Sequence, residues 1–67
     1  MEKKEFEYKW EKESRGKNLV VCLQIRNAGV ILAKRFDFVD NEEKEIFLYG
    51  SEDYIGHFLL KSIIEVY

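Results

Sequence analysis

The sequence predicts one small α+β domain over residues 1–67: a four-stranded antiparallel meander followed by a single C-terminal helix, ββββα, dimerising through that helix. Three patterns lead there. Apolar and polar residues alternate through much of the first two thirds, Gly-containing or acidic turn signals separate the alternating runs, and the apolar spacing changes to i, i+3, i+4, i+7 after Ser51.

The first strand is expected at Glu5–Glu11, where Phe6, Tyr8 and Trp10 share one face and Glu5, Glu7, Lys9 and Glu11 the other. The centre of "ESRGKN", Arg15-Gly16-Lys17, supplies the positive φ of a hairpin turn. A second strand at Asn18–Asn27 then pairs with the first, placing Leu19, Val21, Leu23 and Ile25 on its core side. "NAG", Asn27–Gly29, is the next turn, and Val30–Val39 the third strand. Neither face of that strand is cleanly apolar beyond Ala33, so its core side is expected to change there through a bulge. The acidic "DNEEK", Asp40–Lys44, is a solvated turn, and "EIFLYG" a short fourth strand.

Ser51 is placed as the N-cap of the helix, with Glu52 and Asp53 in the first turn, where the helix dipole favours acids. The helix extends to about Val66, and its main stripe is Ile55, Phe58, Leu59, Ser62, Ile63 and Val66. Leu60, Ile64 and Tyr67 form a second apolar stripe. A monomeric helix on one sheet has no use for two apolar faces, so these three residues are the expected dimer interface. The alternative is a sheet that curls around the helix and covers both.

Composition bounds the function. With 46% apolar residues and ten aromatics, the chain is too hydrophobic for a disordered segment. A chain of 67 residues buries only about 60% of the surface its unfolded form exposes, so an additional source of stability is expected. One cysteine excludes an internal disulfide, and Cys22 with His57 falls short of a four-ligand zinc site, which leaves a homodimer. The unpaired thiol, the lack of a signal-peptide core and the lack of an apolar run of membrane-spanning length point to a soluble, cytoplasmic protein.

The net charge of −2 conceals a division. Residues 9–35 hold seven basic against two acidic residues, a local +5, whereas residues 37–67 hold two lysines against eight acids, a local −6. Chemistry of the catalytic kind is poorly represented. His57 has no matched nucleophile, Cys22 reads as a small hydrophobe on a sheet face, "DNEE" lacks the ligand spacing of a calcium loop, and the four glycines are isolated. The expectation is a non-enzymatic protein without metal or cofactor.

Cations interleaved with aromatics on strands suit single-stranded DNA or RNA, with rings stacking on unpaired bases and cations following phosphates. The candidate stacking residues are Trp10, Phe36 and Phe38, and the candidate phosphate contacts are Lys9, Lys12, Arg26, Lys34 and Arg35. The alternative is a small protein-interaction module, for example a viral or host regulator, docking on a protein partner through its polarised charge.

"GVILAKRFDF", with Gly29, the apolar run Val30–Leu32, Arg35 and Phe38, together with Lys44, Ile46 and Leu48 of "KEIFL", resembles the single-stranded-DNA-binding transcriptional coactivators typified by positive cofactor four. In that resemblance Tyr54 stands for a helix tryptophan. It implies the ββββα order, a dimer through the C-terminal helix, and paired β-ribbons that bind single strands without sequence specificity in transcription or genome maintenance.

Overall fold

The computed structural model describes residues 1–17 and 19–67. It contradicts the ββββα expectation at both ends. The chain begins with a helix, α1 (Lys3–Ser14), and continues with β1 (Val21–Ile25), β2 (Gly29–Ala33), β3 (Arg35–Phe38), β4 (Glu45–Tyr49), β5 (Tyr54–Leu59), a 3₁₀ turn at Leu60–Ser62 and β6 (Ile63–Val66). The strands form two three-stranded antiparallel sheets, ordered β2-β1-β6 and β3-β4-β5.

Helix α1 replaces the first expected strand because "KEFEYKWEK" satisfies both periods. Phe6 and Trp10 alternate with polar residues, but they also stand four apart, on one face of a helix. Glutamate and lysine are good helix formers, and Lys9 lies 3.4 Å from Glu5 one turn earlier. The helix buries Phe6 and Trp10 and leaves Tyr8 68% exposed, so the three aromatics do not share a face. The turn at Arg15-Gly16 does reverse the chain, with Arg15 at φ 57° and Gly16 at φ 66°, but it ends a helix instead of closing a hairpin.

β1 places Val21, Leu23 and Ile25 inward, as the alternation predicts, over a shorter span. Asn18, its expected first residue, lies outside the described residues. The "NAG" turn joins β1 to β2, with Asn27 at φ 65° and Gly29 at φ 77°. The expected third strand is interrupted at Lys34, where the ribbon leaves β1, its partner through Ala33, and joins β4, its partner from Arg35. Ala33 is buried, Arg35 is exposed, and Phe36 and Phe38 again face inward, so the core side changes where the sequence loses its pattern. Such a bend lets one ribbon belong to two sheets.

The C-terminal helix is absent: Tyr54–Leu59 and Ile63–Val66 are strands joined by one 3₁₀ turn. Tyr54, Ile55, Phe58, Ile63, Ile64, Val66 and Tyr67 are aromatic or β-branched, and Gly56 interrupts them, a composition that favours strand over helix. The misleading period has a simple origin. Ile63 and Val66 of the expected stripe are buried three apart because β6 is irregular against β1, where Gln24 pairs with Glu65 and Ile25 with Ile63 so that Ile64 is skipped, a spacing that imitates a helix. Ser51 lies in the β4–β5 turn, where Gly50 N–H donates to the Asp53 carbonyl at 2.9 Å, and caps no helix.

β6 returns to pair with β1, so the end of the chain closes the sheet that β1 opens. The core lies between the sheets: Val21, Leu23, Ile25, Ala33, Ile46, Leu48, Ile63 and Val66, with Leu60 from the turn and Phe6 and Trp10 from α1. No helix among the described residues is long and apolar enough to cross a membrane.

Candidate functional site

The expected stacking residues Trp10, Phe36 and Phe38 meet at one seam of the fold. Trp10 is 8% exposed, packed edge-on against Phe36 with centroids 4.8 Å apart. Phe36 also meets Phe6 at 4.8 Å and Phe38 at 5.6 Å, both near perpendicular. These four rings form the seam between α1 and β3, and their edge-to-face contacts hold the helix against the sheets. Trp10 is thus buried, and Phe36 and Phe38 are half-buried against the core, so these rings are less open to bases than the exposed Tyr54 of the neighbouring face.

The cations expected with them are dispersed. Lys9 Nζ donates to Glu65 Oε1 at 2.8 Å, tying α1 to β6. That bond raises the lysine pKa above its ordinary value, and the same bond, aided by the Val66 N–H, lowers that of Glu65. Lys12 lines a shallow groove between α1 and β6 with Tyr8, Glu13 and Tyr67. Arg26 is exposed beside the β1–β2 turn. Of the expected interface residues, Leu60 is buried in the core and is corrected to a structural role, while Ile64 and Tyr67 are about half-exposed.

Lys34 and Arg35 remain together, and the fold gives them new neighbours. With Lys17 from the turn after α1, they line a cleft of about 220 Å³ that also touches Trp10, Glu11, Ser14, Gly16 and Phe36. Arg35 then extends over the outer face of the second sheet, where its guanidinium lies 4.0 Å above the Tyr49 ring. It also approaches Asp37 at 3.7 Å.

That outer face is aromatic. Strand alternation points Phe47 and Tyr49 of β4 away from the core formed by Ile46 and Leu48. Cross-strand register sets Tyr49 between Arg35 and Tyr54, and Phe47 between Asp37 and His57. Phe47 is the hub, with ring centroids at 6.4 Å from Tyr49, 5.9 Å from Tyr54 and 6.4 Å from His57. Tyr49 and Tyr54 are 5.7 Å apart, and Tyr54 Oη lies 3.5 Å from His57 Nδ1. Tyr54 is 53% exposed and His57 is exposed. Acidic turns, Asp40–Glu43 and Glu52–Asp53, flank the two ends of this sheet.

Sequence reading found Arg35 and missed the platform. "IFLYG" was legible as a strand, and its alternation alone separates Ile46 and Leu48 from Phe47 and Tyr49. Tyr54 and His57, three apart, share a face in the expected helix as well, but a helix there separates them from Phe47 and Tyr49, which β5 brings alongside β4.

Among the described residues there is no cluster of three or more His, Cys, Asp or Glu able to hold a metal ion. No protein family, curated protein or solved structure matches the chain.

Proposed function

We propose that the protein is a non-enzymatic, cytoplasmic, single-stranded nucleic-acid-binding domain acting without sequence specificity in transcription or genome maintenance, and that it binds on the aromatic face of β3-β4-β5. The observation that carries this reading is Arg35, which stacks on Tyr49 while lining, with Lys17 and Lys34, the cleft beside it. One residue thereby joins a phosphate-compatible cleft to a set of rings of which Tyr54 is exposed and Phe47 and Tyr49 are half-buried. Bases stack on Tyr54 and Phe47, and the backbone passes over the three cations. The lone thiol Cys22 suits a reducing compartment.

The test is fluorescence anisotropy of a labelled oligothymidine over a salt series. Tyr54→Ala is expected to weaken binding about 5- to 150-fold, the value of one stacked base. Arg35→Glu is expected to weaken it further and to reduce the slope of log K against log salt by about 0.7, as one phosphate contact is lost. Asp37→Asn is expected to tighten binding by freeing Arg35 from its carboxylate neighbour. No binding by the native chain at low salt, or the same affinity in all three variants, rejects the proposal.

The acidic turns flanking the platform favour a second reading, in which the same rings receive a basic, aromatic-containing segment of a protein partner. Stoichiometric capture of one protein that survives nuclease treatment, with no oligonucleotide binding, selects it.

A further inference from the structure

The first sheet has an outer face of a different kind. On β2, Val30 and Leu32 point outward while Ile31 and Ala33 point inward, so this strand is apolar on both sides. Register places Leu32 opposite Cys22 on β1, and Val30 opposite Gln24. Tyr67 continues the first row, exchanging backbone hydrogen bonds of 2.7 and 2.8 Å with Cys22. Val20, just before β1, extends the patch along the strand. Exposures are 51% for Val20, 59% for Val30, 61% for Leu32 and 49% for Tyr67. An antiparallel sheet with one face on a core is ordinarily polar on the other, as charged or hydrogen-bonding side chains there cost nothing in water.

We propose that this face is covered by the same face of a second copy of the chain, the two β2-β1-β6 sheets packing about a twofold axis. Two features select a copy of itself over a charged partner. Its one carboxylate, Glu65, is already bonded to Lys9, and the exposed Arg26 stands at its rim beside the β1–β2 turn, so the centre of the face presents no unpaired charge that asks for an opposite one. Its central polar group, Gln24, carries both donors and an acceptor, and therefore complements its own symmetry mate.

The area is sufficient. A fully exposed aliphatic side chain offers on the order of 100 Å² of apolar surface and an aromatic about 150–250 Å². At the exposures given, these four residues with the neighbouring half-exposed Ile64 present roughly 300 Å². Interfaces are about 60% apolar, so the whole contact covers about 500 Å² per protomer and about 1,000 Å² in total, near the lower size of a specific interface. The expected association is therefore weak to moderate. Because the aromatic platform lies on the other sheet, a dimer of this form leaves it open.

Sedimentation velocity from micromolar to millimolar concentration reads the outcome. The native chain is expected to pass from 8.1 kDa to twice that mass. Leu32→Lys, at an exposed position that the fold does not need, is expected to lower the association constant by more than about tenfold. Tyr54→Lys, on the opposite sheet, leaves it unchanged. Maleimide labelling of Cys22 gives a second measurement: the rate per molecule falls with concentration in the native chain and stays constant in Leu32→Lys. A monomer across the whole range overturns the proposal. So does association that Leu32→Lys leaves intact, or that Tyr54→Lys abolishes.

Discussion

Phe6 and Tyr8 are two residues apart and chemically similar, yet their environments are opposite. Phe6 is fully buried between the sheets and Tyr8 stands 68% exposed on the solvent side of α1. Phe6→Ala is expected to cost about 3–5 kcal/mol, the range for truncating a buried phenylalanine. A 67-residue domain has about 3–10 kcal/mol of stability to lose, so this single change brings it close to unfolding. Tyr8→Ala is expected to stay within about 0.5 kcal/mol. Urea denaturation of the two variants checks the assignment, because a strand carrying both rings on one buried face requires comparable losses. At this scale the sequence was partly legible. It separated the inward Val21, Leu23 and Ile25 from Cys22 and Gln24, but it offered Phe36 as an exposed stacking group and gave Phe47 no role. Both are aromatics on strands, and only the position of α1 decides which of them is covered.

At the scale of elements, α1 is held by its buried rings and by two ionic tethers, Lys3 to Glu43 and, reaching the first sheet, Lys9 to Glu65. The second tether has a definite pH dependence. Glu65 has a lowered pKa in the folded state, so its contribution is present above the unfolded carboxylate pKa and disappears as pH falls through the folded value. Lys9 has a raised pKa, so its contribution is present below the unfolded lysine pKa and disappears as pH rises through the folded value. The stability difference between the native chain and Lys9→Met is therefore expected to be largest near neutrality and to shrink in acid. Urea midpoints of both chains at neutral and acidic pH measure it; a difference that grows in acid contradicts the assignment. Elements with one period were legible: β1, β4 and the turns at Asn27–Gly29 and Asp40–Lys44. Those whose residues satisfied two periods were not. "KEFEYKWEK" alternates and also repeats every four residues, and the Ile63, Val66 spacing of three arises from the irregular pairing of β6 with β1.

For the whole molecule, both termini supply the same core, Phe6 and Trp10 from one end and Ile63 and Val66 from the other. The Cα radius of gyration, 10.7 Å, equals the value of about 11 Å expected for one compact body of this length, so the two sheets are closed on each other. What was illegible here is non-local: nothing near Ile63 in the sequence announces that β6 pairs with β1. The joint that permits closure is Lys34, and counting along the ribbon shows what kind of joint it is. With Lys34 omitted, Ile31, Ala33, Phe36 and Phe38 fall on every second position without interruption. The residue is thus an odd member that turns the chain without disturbing the parity of its neighbours. Deleting Lys34 is expected to leave every side chain on its proper side of a straight ribbon and still to prevent the sheets from meeting, giving a chain rich in strand that binds a hydrophobic dye and melts without a cooperative transition. If that deletion variant unfolds cooperatively at the native temperature, the corner is made elsewhere. Hydrophobic pattern and chain direction are separately encoded in this protein, and a single uneven count supplies the second.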